Sequence, residues 1–169
     1  MKYTSAEAAK LLRKLNEAHL ALRNKETQSC TFVAAVQENL EDARPAYDYA
    51  AVQKELTNLE AQIRKVKHAI NQFNLSTTIP GFDMTVDEAL VRIPQLSERK
   101  RKLSDLANRL PKERVNSGAF AGKAIVEYRY ANYDVTAANA DLLKVSDELA
   151  ALQTALDVVN NNETLELEL

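Results

Sequence analysis

The stretch YAAVQKELTNLEAQIRKVKHAINQF runs from Tyr49 to Phe73 and decides the fold class. Within it Tyr49, Val52, Leu56, Leu59, Ile63, Val66, Ile70 and Phe73 recur at alternating steps of three and four. That spacing averages about 3.5 residues and keeps one apolar seam turned toward a partner helix. Pro45 suits a first-turn position, which predicts a helix over 45–74, about 45 Å long at the standard rise per residue. Asn74 to Gly81, with Pro80, ends it in a loop.

A second seam of the same kind lies near the end of the chain. Val135, Ala138, Leu142, Val145, Leu149, Leu152, Leu156 and Val159 repeat the three-four alternation, predicting a helix over 135–160 with Asp134 as its cap. Two further helices complete the set. Thr4-Ser5-Ala6-Glu7 has capping-box spacing and opens a helix over 5–24 whose stripe is Ala8, Leu11, Leu12, Leu15, Ala18, His19 and Leu22. Thr85-Val86-Asp87-Glu88 opens another over 85–110, with Pro94 inside it expected to kink or split it.

Two segments read as strands. Thr31-Phe32-Val33, within 30–36, is β-branched and aromatic, and Ala124 to Tyr130, within 124–131, is similar. They are expected to pair with each other. Leu165, Leu167 and Leu169 alternate with Glu166 and Glu168 as a short terminal strand or a loose tail. Ser117-Gly118 and Ala121-Gly122 mark the expected mobile loop. The fold class is therefore mainly α: a long antiparallel helical hairpin or four-helix bundle with a small two-stranded β element, in a single domain over 1–169.

Composition bounds the function. A net charge of -2 gives no general pull toward nucleic acid or anionic lipid. The longest unbroken apolar run, Phe32 to Val36, is far short of the roughly 20 residues that span a bilayer. No apolar stretch follows Lys2, so no secretory leader is expected, and the compartment reads as cytoplasmic. The lone Cys30, placed in a predicted strand, is expected to be a buried inert thiol. His19 and His68 have no metal-ligating residue at helical spacing. No phosphate-binding glycine loop, nucleophile elbow or zinc spacing occurs. No enzyme activity, catalytic residue, metal or cofactor is expected.

Charge is unevenly distributed. Between Glu98 and Arg114 seven basic residues face three acidic ones, net +4; from Asp134 onward one basic residue faces eight acidic ones, net -7. The basic end of the third helix can pack beside the acidic last helix of its own or another subunit. Alternatively Arg99, Lys100, Arg101 and Lys102 bind phosphate, with Tyr128, Arg129, Tyr130 and Tyr133 as helpers. Four consecutive basic residues point all round a helix, which disfavours that second reading.

Ile70-Asn71-Gln72-Phe73-Asn74, the helix start Thr85-Val86-Asp87-Glu88-Ala89-Leu90 and the closing Leu156-Asp157-Val158-Val159-Asn160 resemble an uncharacterised bacterial helical family, some of whose members are labelled septicolysin. The resemblance implies an α-helical oligomer, a hexamer in the family's known fold, and carries over no catalytic residues. The septicolysin label implies a membrane-active cytolysin, but this sequence has no membrane-inserting hairpin of alternating residues. The leading expectation is a non-enzymatic homo-oligomer acting as a structural or interaction scaffold, because each apolar stripe can be covered only once within a four-helix monomer.

Overall fold

The structure, a computed structural model, describes residues 1–115 and 126–168. The elements in chain order are β1 (Lys2–Thr4), α1 (Ser5–Ser29), α2 (Leu40–Ala43), α3 (Tyr49–Ser76), α4 (Val86–Ala107), β2 (Lys112–Val115), β3 (Glu127–Tyr130), α5 (Val135–Asn162) and β4 (Thr164–Glu166). The fold is mainly α. The elements group into two compact units, one of residues 1–77 with 158–169 and one of residues 78–157.

The first unit is built on α1 and α3. Thr4 starts α1 as a complete capping box: its hydroxyl accepts from the Glu7 amide and the Glu7 carboxylate accepts from the Thr4 amide. The two helices run antiparallel. His19 meets Glu60 at 3.3 Å, and seven residues further along α1 Glu26 accepts from Gln53, seven residues back along α3, at 2.7 Å. Helix α1 continues past 24 to Ser29 because nothing in Lys25 to Ser29 breaks it, and because Tyr47 and Gln53 both donate to Glu26 in its last turn.

Residues 31–35 are not a strand. Their would-be partner, β3, pairs with β2 instead, and Val33 and Val36 are fully exposed. Two alanines beside them further lower the β preference. Asn39 caps the short α2, and Asp48 caps α3, which starts at Tyr49, so Pro45 precedes the helix rather than sitting in its first turn. Strand β1 pairs antiparallel with β4, Tyr3 opposite Leu165, and the Met1 and Leu167 backbones exchange two further hydrogen bonds of 2.9 Å. Of the alternating C-terminal leucines, Leu165 lies in β4 and Leu167 follows it, both buried with Glu166 exposed between them, while Leu169 lies outside the described residues.

The second unit begins with a turn. Ile79-Pro80-Gly81-Phe82 closes through Phe82 N–H donating to the Ile79 carbonyl, with proline at the second position and Gly81 at φ 82° at the third. This is a type II turn, which needs a left-handed third residue. Ile79 is tucked away at 1% exposure. Thr85 and Glu88 then form the second capping box. Pro94 does not split α4: it lies on the exposed side, and the carbonyl it leaves without a donor belongs to Leu90, itself exposed.

Helices α4 and α5 are antiparallel. Arg92 donates through Nε and Nη2 to Glu148 Oε1 at 3.1 and 2.7 Å, and Tyr133 donates its hydroxyl to the Leu106 carbonyl at 2.8 Å. Their buried residues include Val86, Ala89 and Leu96 from α4 and Ala138, Val145, Leu149, Leu152 and Leu156 from α5. Between them β2 and β3 form a two-stranded antiparallel ribbon, extended by Ala131 N–H donating to the Pro111 carbonyl. The expected 124–131 strand is therefore seen as β3, paired with residues 112–115 rather than with 30–36. The 117–122 loop lies outside the described residues.

Candidate functional site

The β2–β3 ribbon gathers the most chemistry. Its register sets Lys112 opposite Tyr130, Glu113 opposite Arg129, Arg114 opposite Tyr128 and Val115 opposite Glu127. Opposed residues share a face and successive ones alternate. One face therefore carries Lys112, Arg114, Tyr128 and Tyr130; the other carries Glu113, Arg129, Val115 and Glu127.

The two faces differ in charge balance. On the second, Arg129 Nη1 lies 3.9 Å from Glu113 Oε2. A cavity of about 320 Å³ at the base of the ribbon is lined from both faces, by Glu113 and Arg129 of the second and Tyr130 of the first, together with Arg109 and Tyr133. The first face holds two cations and no carboxylate. The Lys112 ammonium sits 4.1 Å above the Tyr128 ring centre and 5.5 Å from that of Tyr130, and the two rings lie 6.4 Å apart, tilted by 50°. Tyr128 and Tyr130 are 44% and 61% exposed.

The basic run of α4 is arranged differently. Arg99, Arg101 and Lys102 line a shallow groove of about 670 Å³ with Glu98 and Asp105; Lys100 is not among its walls. The helix rotates successive side chains by roughly 100°, so the run does not make one basic face. All four residues are exposed.

The seam residues are placed as follows. In α3, Leu56, Val66 and Phe73 are buried, Val52, Leu59, Ile63 and Ile70 are half-buried, and Tyr49 is exposed. In α5, Val145, Leu149, Leu152, Leu156 and Val159 are buried with Ala138, while Val135 and Leu142 are half-buried. From Val145 to Val159 the α5 burial keeps the three-four spacing without a gap, whereas the α3 burial skips from Leu56 to Val66.

Two polar constellations join residues far apart in sequence. His19 Nε2 meets Glu60 Oε1 across the α1–α3 pair. Glu26 accepts from the Tyr47 hydroxyl at 2.9 Å and from Gln53. Burial, then this carboxylate, pushes the Tyr47 hydroxyl up to about 12. Cys30 caps the C-terminus of α1 as an exposed free thiol, not the buried strand thiol that its sequence neighbours imply. His68 is exposed. Among the described residues no group of histidine, cysteine and carboxylate side chains is placed to hold a metal ion.

Strand β2 carries a signal that a hairpin reading would use. Lys112-Glu113-Arg114-Val115 and Glu127-Tyr128-Arg129-Tyr130 place opposite charges across from each other at Glu113 and Arg129 only when the strands pair with each other. The partnership of His19 with Glu60 has no such local signature.

The architecture defines a mainly α protein of antiparallel helical hairpins carrying small two-stranded sheets. Its fold is similar to that of a functionally unknown conserved protein from Corynebacterium diphtheriae, seen in a crystal structure, with a TM-score of 0.62 and 19% identity over 98% of this chain and 100% of that one. No family model matches the chain, and no curated protein does. No described helix is long and apolar enough to cross a membrane.

Proposed function

We propose that this chain is a non-enzymatic, self-associating helical scaffold, in line with the oligomer that the septicolysin-labelled resemblance implies. One observation carries the reading: α1, 25 residues long, fully buries only Ser5 and Ala8. Leu11, Leu12, Leu15 and Leu22 stay half-buried and Leu20 is 56% exposed. Ala9, Leu12 and Leu20 lie along the outside of α1 with Asn16 between the two leucines, lining a groove of about 390 Å³ that Arg13 and Glu17 edge on one side.

A second copy of α1 fits this groove. Its edge carries one charge of each sign, Arg13 and Glu17, now paired with each other at 3.6 Å. An antiparallel two-fold contact would place each opposite its counterpart in the other copy, so the surface is self-complementary. Closing it would remove the exposed leucine from water.

Light scattering over a wide dilution series tests this. The parent chain is expected to be larger than a monomer, and Leu20→Asp, a change at an exposed position, is expected to reduce its mass while leaving its helical signal intact. A parent chain that is monomeric at every concentration refutes the proposal. So does an assembly that Leu20→Asp leaves unchanged, for the α1 contact.

A further inference from the structure

We propose that the Lys112–Arg114–Tyr128–Tyr130 face of the β2–β3 ribbon binds single-stranded nucleic acid, a role independent of self-association. Three features carry this. First, among the described residues the face is substantially open to solvent, although a two-stranded ribbon ordinarily needs a covered side to be stable. Its rings are 44% and 61% exposed. Second, its charge is one-sided: Lys112 and Arg114 share it with no carboxylate, while the acidic residues Glu113 and Glu127 occupy the opposite face. Third, two aromatic rings stand two residues apart on one strand with a lysine ammonium 4.1 and 5.5 Å from their centres.

That grouping matches the chemistry of an unpaired strand, in which flat base faces stack on aromatic rings while the phosphates seek cations. The 50° tilt between the rings gives each its own stacking direction, so they receive two bases rather than clamp one. A duplex keeps its base faces stacked on one another and leaves the tyrosines nothing to stack against. An acidic peptide would use the two cations and leave the rings idle. The mixed α4 groove, with Glu98 and Asp105 in its walls, lacks the one-sided charge.

The experiment is fluorescence anisotropy of the whole chain with labelled oligo-dT and oligo-U, a duplex of equal length, and poly-glutamate as competitor. Binding of either single strand is expected, with a log–log salt slope of about -1.4 for two neutralised phosphates. Tyr128→Ala and Tyr130→Ala are each expected to weaken it by about tenfold, the low-to-middle range for one stacked base. Tyr128→Phe should retain binding, which separates stacking from loss of the ribbon. Lys112→Ala should flatten the slope to about -0.7. Arg99→Ala with Lys102→Ala should leave it unchanged. The proposal is overturned by no salt-sensitive binding, by equal or tighter binding of duplex, by competition from poly-glutamate at equal charge, or by affinity that follows the α4 pair and ignores both tyrosines.

Discussion

Leu152 and Leu143 sit on one helix, nine residues apart, with opposite surroundings: Leu152 is at 0% exposure and Leu143 at 67%. Replacing Leu152 by alanine removes about three carbon groups from a fully enclosed site, roughly 2.4 kcal/mol at about 0.8 kcal/mol each. The surrounding side chains collapse only partly, and the remaining void raises the expected cost to about 3 kcal/mol. At Leu143 about one third of the transfer contribution is at stake, and alanine's better helix propensity offsets part of that, leaving less than about 1 kcal/mol. For a chain of this size the Leu152→Ala change corresponds to a fall in Tm of about 6–12 °C. Urea and thermal unfolding followed by far-ultraviolet circular dichroism measure both variants. A cost below about 1 kcal/mol for Leu152→Ala, or equal costs for the two, would refute the assignment of α5's buried side. A large cost at Leu143 that grows with protein concentration would instead put that residue in a subunit contact.

Other perturbations probe the remaining joints. Tyr47 holds its proton more tightly folded than unfolded, so its contribution is complete below about pH 10 and is lost as pH rises from about 10 to about 12; alkaline unfolding should show this loss in the parent chain and not in Tyr47→Phe. The Thr85 backbone hydrogen bond, then its hydroxyl, lowers the Glu88 carboxyl, so the capping box stabilises above the ordinary carboxylate range and weakens as pH falls through it. Thr85→Ala should cost about 1 kcal/mol at neutral pH and reduce that acid sensitivity, as read by urea midpoints across pH. Gly81→Ala meets open space around a new side chain, so its cost, about 1 kcal/mol, should come from the left-handed φ alone. Arg92→Ala breaks a half-exposed pair with Glu148 and should cost less than about 1 kcal/mol, shrinking further in high salt.

Local chemistry made the helices legible. Both capping boxes, at Thr4 with Glu7 and at Thr85 with Glu88, form the reciprocal hydrogen bonds that their spacing implies. The α5 seam was readable because burial follows one helical stripe from Val145 to Val159. In α3 the same period is only partly used: Tyr49, at the helix start, stays 66% exposed, since periodicity shows which side is apolar but not what covers each turn. Strand pairing was the least readable. Thr31 to Val33 has β-type residues, yet a strand exists only where a partner's hydrogen-bonding edge arrives, and β3's edge goes to β2. Lys2–Thr4 offers too few residues to display a period, and its partner lies at the other end of the sequence. The ribbon's tyrosines and basic residues were visible as types; only the register sorts them into one basic, aromatic face and one mixed, net acidic face.

The β1–β4 pairing has a kinetic consequence. The helical hairpins can nucleate from neighbouring segments, but Lys2 and Glu166 are 164 positions apart, so their pairing has to close a long loop. This latch closes late in folding, and during synthesis it must wait until the last strand has left the ribosome. Between its release and that closure, Leu165 and Leu167, buried in the folded chain, lack the cover of β1 and are open to wrong partners.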